Sequence, residues 1–305
     1  MCMDFGRLKD ISGVDFSLPE EDPYSQMVLR NHPNFVGNFD FRLGAPAWSC
    51  TEWKGKIYPD KSSPSTFLHH YAQHFDTIEL NSTHYGIPQS ATILKWKSSV
   101  GDYFRFCPKM LQSVSHRKRL NNVQSDVDEF TDQMRLFEHK LGYTWLQMPP
   151  DFDIQERKSL FTFLEKYPSD IPLALELRHD SWFKDQAVLN DLSEIMTERS
   201  QAMIITDVAG RRDVLHMRVT TPVILIRFVG NELSPTDFSR VDLWLKRIDR
   251  FKQQGLQEVY FFAHQPEDIL CPEIGNHIGK KSENDYNWKF TYPILREKAE
   301  QRALF

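Results

Sequence analysis

Leu173 to Trp182 reads LALELRHDSW. In an extended chain Leu173, Leu175 and Leu177 fall on one face and Ala174, Glu176 and Arg178 on the other. The aliphatic face asks for a cover of helices. The acid and the base on the opposite face ask for a shared interior in which they can be paired, because an isolated buried charge costs several kcal/mol, on the order of one ion's desolvation. Seven further β-rich runs surround this one: FDFRLGAPAW (39–48), TIELNST (77–83), YFRFCPKM (103–110), YTWLQMP (143–149), AMIITDV (202–208), PVILIRFVG (222–230) and EVYFFAHQ (258–265).

Segments of helical period separate the runs, among them SATILKWKSSV (90–100), DVDEFTDQMRLFEHKLG (126–142) and FSRVDLWLKRIDRFKQQG (238–255), with Gly142 and Gly255 read as helix stops. Eight strands alternating with helices predict an α/β fold, a (β/α)8 TIM barrel, with an open doubly wound sheet as the alternative. Irregularity is expected after the sixth strand, where residues 209–221 lack a helical signal, and after the eighth, where residues 266–278 are short. Residues 1–38 read as an arm lying on the barrel, and residues 39–305 as a single barrel domain with a C-terminal tail.

The formal charge is −5, from 37 basic and 42 acidic residues, so nothing draws the chain as a whole to nucleic acid or to an anionic membrane. The one dense basic run, HRKRL (116–120), keeps a nucleic-acid-binding alternative open. Cys2, Cys50, Cys107 and Cys271 form no paired spacing and read as reduced thiols. With no apolar leader and no run long enough to span a bilayer, a cytoplasmic protein is expected.

Parity along each strand separates the face toward the helices from the face toward the lumen. It sends Glu79, Asn81 and Thr83 inward from the second strand, Arg105, Cys107 and Lys109 from the third, and Trp145 and Gln147 from the fourth. The fifth contributes Glu176 and Arg178, the sixth Ile205 and Asp207, the seventh Leu225 and Arg227, and the eighth Tyr260, Phe262 and His264. Chemistry in such barrels sits at the C-terminal rim, which favours the strand-end residues as functional.

WSCTEWKGKIYP (48–59), FDTIELNSTHYGIP (75–88), FRFCPKM (104–110) followed by Ser115-His116, KLGYTWLQMPPDF (140–152), LALELRHDSWF (173–183) and ITD (205–207) together resemble the YecE-like family, domain of unknown function 72. The likeness runs from about Leu43 to about His264 and implies a TIM barrel; it leaves the reaction open. After the eighth strand the chain departs from the family's Asn-rich turn and small-residue helix, reading AHQPEDILCPEIGNH (263–277).

The residues themselves suggest chemistry. Glu79 and Glu176 are candidates for a general acid and base, with Lys109 as a third catalytic group. Lys109, Arg178 and Arg227 gather positive charge suited to a phosphate or carboxylate. Trp48, Tyr85 and Trp182 offer faces for a sugar ring, and Asn81, His116, Gln147, Asp207 and His264 offer polar contacts. No GxGxxG or P-loop follows a strand, and the histidines have no metal-ligand spacing, so neither a cofactor nor a metal is expected. The expected function is that of an enzyme, hydrolase, isomerase or lyase, working on a small phosphorylated or carboxylated sugar-like anion by carboxylate acid–base chemistry. The alternatives are a purely structural ion network and a non-catalytic ligand- or nucleic-acid-binding barrel. The sequence carries no sign of the oligomeric state.

Overall fold

The computed structural model describes residues 6–31 and 39–296; Cys2, the rest of the arm and the end of the tail lie outside the described residues. The strands are β1 (Asp40–Ala45), β2 (Thr77–Leu80), β3 (Arg105–Pro108), β4 (Thr144–Gln147), β5 (Leu173–Glu176), β6 (Ala202–Asp207), β7 (Val223–Val229) and β8 (Glu258–His264). The helices are α1 (Pro23–Arg30), α2 (Phe67–Tyr71), α3 (Ser90–Ser98), α4 (Gln124–Met134), α5 (Arg157–Lys166), α6 (Ser181–Lys184), α7 (Gln186–Glu198), α8 (Pro235–Gln254) and α9 (Cys271–Tyr286).

All strand pairings are parallel, in the order β3-β2-β1-β8-β7-β6-β5-β4. The ends of that order meet through short bridges, Phe106 with Leu141 and Lys109 with Trp145, so the sheet closes into a TIM barrel. Gly142 belongs to this seam rather than to a helix end: its N–H donates to Phe106 O at 2.8 Å, and a Cβ there would stand 2.8 Å from Cys107 Sγ. Gly255 does cap α8, at φ 121°.

Two apolar layers follow the parity. Ile78, Phe106, Leu146, Leu173, Leu175, Ile226 and Phe261 pack outward into the large core beneath the helices. Cys107, Trp145, Ala174, Ile204, Leu225, Tyr260 and Phe262 fill the lumen. The sixth strand reverses the expectation, since Ile204 and Thr206 point inward while Met203, Ile205 and Asp207 point outward. Asp207 is fully buried against α8, accepting from Arg240 Nη2 (2.8 Å) and Trp244 Nε1 (2.7 Å) and pairing with Arg212. Alternation misled here because both faces of AMIITD are apolar, and an outward carboxylate is tolerated only because a buried arginine from α8 meets it.

Between β6 and β7 the chain makes one 3-10 turn, Arg212–Val214, instead of a helix. Helix α1 of the arm covers the gap. Ser25 Oγ donates to Met217 O and accepts from Val219 N, both at 2.7 Å, and Tyr24 OH lies 3.1 Å from Thr197 Oγ1 near the end of α7. Asp22 both caps α1, through Tyr24 N at 2.8 Å, and pairs with the buried Arg218 at 3.0 Å.

At the opposite end of the barrel from the rim, Arg42 enters the lumen from β1 and pairs with Glu258 and Asp40, with Tyr103 4.0 Å beneath its guanidinium. Arg105, expected to face the lumen, donates to the carbonyls of Asp102, Tyr103 and Phe104 on this lower rim. After α9 the chain returns under the barrel, where Phe290 stacks on Phe41 at 4.5 Å and Thr291 N donates to Asp76 Oδ2 at 2.8 Å.

Burial pushes the Asp76 carboxyl up to about 6 against those hydrogen bonds. Its proton is held more tightly in the folded than in the unfolded chain, so this group's contribution to stability is greatest below about pH 4 and is lost as pH rises to about 6. Asp76→Asn keeps an acceptor for Thr291 and removes the charge. It is expected to stabilise the protein at pH 7.5 by on the order of 2 kcal/mol, with the gain vanishing near pH 4, as read from denaturant midpoints across that range.

Candidate functional site

A cavity of about 230 Å³ opens at the C-terminal rim. Its floor comes from strand ends: Glu79 from β2, Gln147 from β4, Arg227 from β7 and His264 from β8, with Lys109 and Arg178 one and two residues beyond β3 and β5. Its mouth is formed by Pro46, Asn81, His84, Tyr85 and Asp268. A larger groove of about 670 Å³ runs outside the barrel, between residues 120–127 and α5, with exposed lysines on its helical side. The convergent buried charge is at the rim.

Glu176 lies behind the cavity wall, fully buried. Its Oε1 accepts from Arg178 Nε (2.7 Å) and Thr206 Oγ1 (3.0 Å), and its Oε2 from Trp145 Nε1 (2.8 Å) and Gln147 Nε2 (2.6 Å). Burial alone raises a carboxyl's pKa, but Arg178, Arg227, Lys109 and the Gln147 amide outweigh it and hold Glu176 well below the usual range. A carboxylate with both oxygens occupied and no face on the cavity neither donates nor accepts a substrate proton. Glu176, expected as a catalytic acid or base, thus stands behind the cavity lining and accepts from Arg178 and Gln147, which do line it.

Glu79 does face the cavity. Lys109 Nζ is 3.8 Å from its Oε1, while Arg227 Nε (4.0 Å) and His264 Nε2 (2.7 Å) approach its Oε2. Burial raises its pKa, and His264, Lys109 and Arg227 more than reverse this, bringing it to about 2. The His264 contact is close but not aligned as a hydrogen bond, so both atoms keep capacity for a further partner. Burial and Arg227 hold His264 below its ordinary pKa despite Glu79.

Lys109 is 7 % exposed and, among the described residues, donates only to Asn81 Oδ1, at a long 3.4 Å. Burial, opposed by Glu79 and assisted by Arg178 and Arg227, brings its pKa down to about 8. Arg227 is also buried, yet its Nε and Nη1 find no hydrogen-bond partner among the described residues, and neither does Gln147 Oε1.

The remaining expected residues divide. Asn81 and Tyr85 line the mouth, Tyr85 being 73 % exposed. His116 stands behind the mouth, edge-on to His84 at 5.0 Å, with Nδ1 2.8 Å from Ser115 Oγ; burial and then His84 push its pKa down to about 4. Trp48 packs edge-on to Trp96 at 5.5 Å, and Trp182 is buried, stacked on Phe152 with Nε1 donating to Phe152 O at 2.8 Å. Neither tryptophan lines the cavity, nor does Asp207.

Sequence reasoning missed His84, Thr206 and Asp268. His84 sits on the 3-10 turn after β2 with Nδ1 2.7 Å from Met110 O, and burial lowers its pKa. Asp268 starts a 3-10 turn beyond β8, where burial raises its pKa. Both lie on irregular turns past strand ends, where alternation says nothing; only the sixth-strand pattern, correctly phased, would have found Thr206. Among the described residues, no group of three or more His, Cys, Asp or Glu is placed to hold a metal ion. Within the basic run, Lys118 pairs with Asp126, and Arg119 with Asp151 and Glu156.

Residues 42–283 match a family described as "Protein of unknown function DUF72". The chain belongs to the DUF72 family. It is 27% identical to the YecE protein of Escherichia coli K12 over 250 residues, 76% of this chain and 89% of that one. It is 29% identical to YunF of Bacillus subtilis over 163 residues, 51% and 57% of the two chains. Solved DUF72 structures share the barrel: one from Thermotoga maritima at 23% identity and TM-score 0.65, covering 80% of this chain and 99% of that one, and one from Enterococcus faecalis at 20% and 0.64, covering 80% and 97%. Among the described residues of this DUF72 chain, no helix is long and apolar enough to cross a membrane.

Proposed function

We propose that this DUF72 protein is an enzyme that binds a small hydroxylated anion, a carboxylate or phosphate of sugar-like size, at the rim of its barrel. The observation that carries the reading is Arg227, a buried guanidinium with two N–H directions that meet no acceptor. A buried donor left unmade costs about 1–3 kcal/mol, more when charged, and a ligand oxyanion removes that cost. Charge at the floor points the same way, because Lys109, Arg178 and Arg227 outnumber the ionised pair Glu79 and Glu176 there, the third acid, Asp268, standing at the mouth. Gln147 Oε1 and the outward capacity of Glu79 are acceptors, which suits hydroxyl groups beside the anionic one.

The acid–base work rests on Lys109 and Glu79, not on two carboxylates. Near neutral pH Lys109 is poised to give and retake a proton, and the ionised Glu79 beside it supplies the countercharge. Calorimetric titration with inorganic phosphate, hydroxy acids and triose phosphates tests the binding step. Saturable binding that weakens with added salt is expected for at least one of them; no heat from any of them at low salt would overturn the reading.

A further inference from the structure

Among the described residues two lysines are buried to the same extent, and they are held differently. Lys140 Nζ donates to Val100 O (2.9 Å) and Lys97 O (3.1 Å) and pairs with Asp102 (3.2 Å), so its ammonium is fully engaged on the outside of the barrel. Lys109 Nζ has one long hydrogen bond and a carboxylate at 3.8 Å, and it faces the cavity. A lysine buried for structure alone has its protons occupied. Lys109 leaves space in front of its nitrogen, and the same carboxylate it faces on one oxygen carries Arg227 on the other.

We propose that Lys109 is a nucleophile that forms a Schiff base with the carbonyl carbon of a small anionic aldehyde or ketone whose carboxylate or phosphate rests on Arg227. The inference rests on the anion-binding reading of the same cavity. The amine nitrogen attacks the carbonyl carbon, and the C=O π pair moves to oxygen, giving a carbinolamine. The nitrogen lone pair then expels that oxygen as water. Counted from ammonium and carbonyl, the products are one iminium and one water, with no oxidant or reductant consumed. Solvent water takes the ammonium proton before attack and a proton is returned to the hydroxyl as it leaves, while the ionised Glu79 beside Nζ offsets the iminium charge. The low dielectric and the neighbouring Arg178 and Arg227 enlarge the uncharged fraction of Lys109 at neutral pH.

The test is reductive trapping on the full chain. Protein is incubated with glyoxylate, reduced with cyanoborohydride, digested, and the peptides weighed. The expected result is a single carboxymethyl increment on Lys109, appearing at least about tenfold faster than on exposed lysines such as Lys95 and Lys158, because a pKa near 8 leaves far more free amine at pH 7. Excess inorganic phosphate should suppress it by competing for Arg227, and Lys109→Arg should lose it. Label spread over exposed lysines with none on Lys109 would overturn the proposal. Calorimetry on the same wild-type sample separates the readings: anion binding without the label removes the Schiff base and leaves the anion site standing, whereas no binding of glyoxylate or phosphate and no label removes both.

Discussion

Glu176→Ala loses about 3–5 kcal/mol of stability, the size seen when one partner of a buried ion pair is deleted, and its denaturation midpoint falls accordingly. Four donors converge on this carboxylate: the guanidinium of Arg178, the amide of Gln147, the indole of Trp145 and the hydroxyl of Thr206. Truncation strands buried N–H and O–H groups drawn from β4 and β6 and removes the countercharge 2.7 Å from Arg178. Glu176→Gln is milder, since its shape and one acceptor remain, but its amide turns a donor toward donors. Both variants should lower stability and ligand affinity together, because Arg178 and Gln147 lose their fixed positions. A Glu176→Gln protein of wild-type stability that binds the anion normally would show that the carboxylate is not the anchor of this wall.

The barrel was legible because most strands carry contrast between their two faces. LALELR, TIEL and YFRFCPK place aliphatic or aromatic side chains on one parity and charge on the other, so Glu79, Lys109, Gln147, Arg178, Arg227 and His264 were found together from sequence. Where contrast is absent the method fails: in AMIITD the only charge marks the wrong face, because its partner Arg240 arrives from a helix about thirty residues later in the chain. Aromatic residues near the rim divide for a related reason. Trp48 and Trp182 are adjacent in sequence to the loops that form the mouth, but a large ring gains more by packing beneath a loop than by facing water, and only Tyr85 is exposed. The roles of Glu79 and Glu176 were likewise not separable by residue type. Their difference lies in how many donors each oxygen meets, which depends on neighbours from other strands.

Arg227→Met is expected to move stability and binding in opposite directions. In the unliganded protein it deletes a buried cation with two unmet donors, leaving Lys109 and Arg178 against Glu79 and Glu176 in balance, and a long apolar side chain fills most of the same space. A gain of about 1 kcal/mol follows, since replacing a poorly satisfied buried charge with a hydrophobic side chain is often neutral or stabilising. Binding of the anion should weaken about 100-fold or more, from ~3 kcal/mol lost when the charged donor to a buried oxyanion is removed. The wild-type affinity should also fall as pH rises through about 8, where Lys109 gives up its charge, and in the variant that fall should move to higher pH, because Lys109 remains but has lost the neighbouring guanidinium that lowers its pKa. A residue that only holds the barrel together would lose stability when removed, as Glu176 does. Arg227→Met with lowered stability and unchanged affinity would place Arg227 among the structural residues and leave the cavity without its anion-binding group.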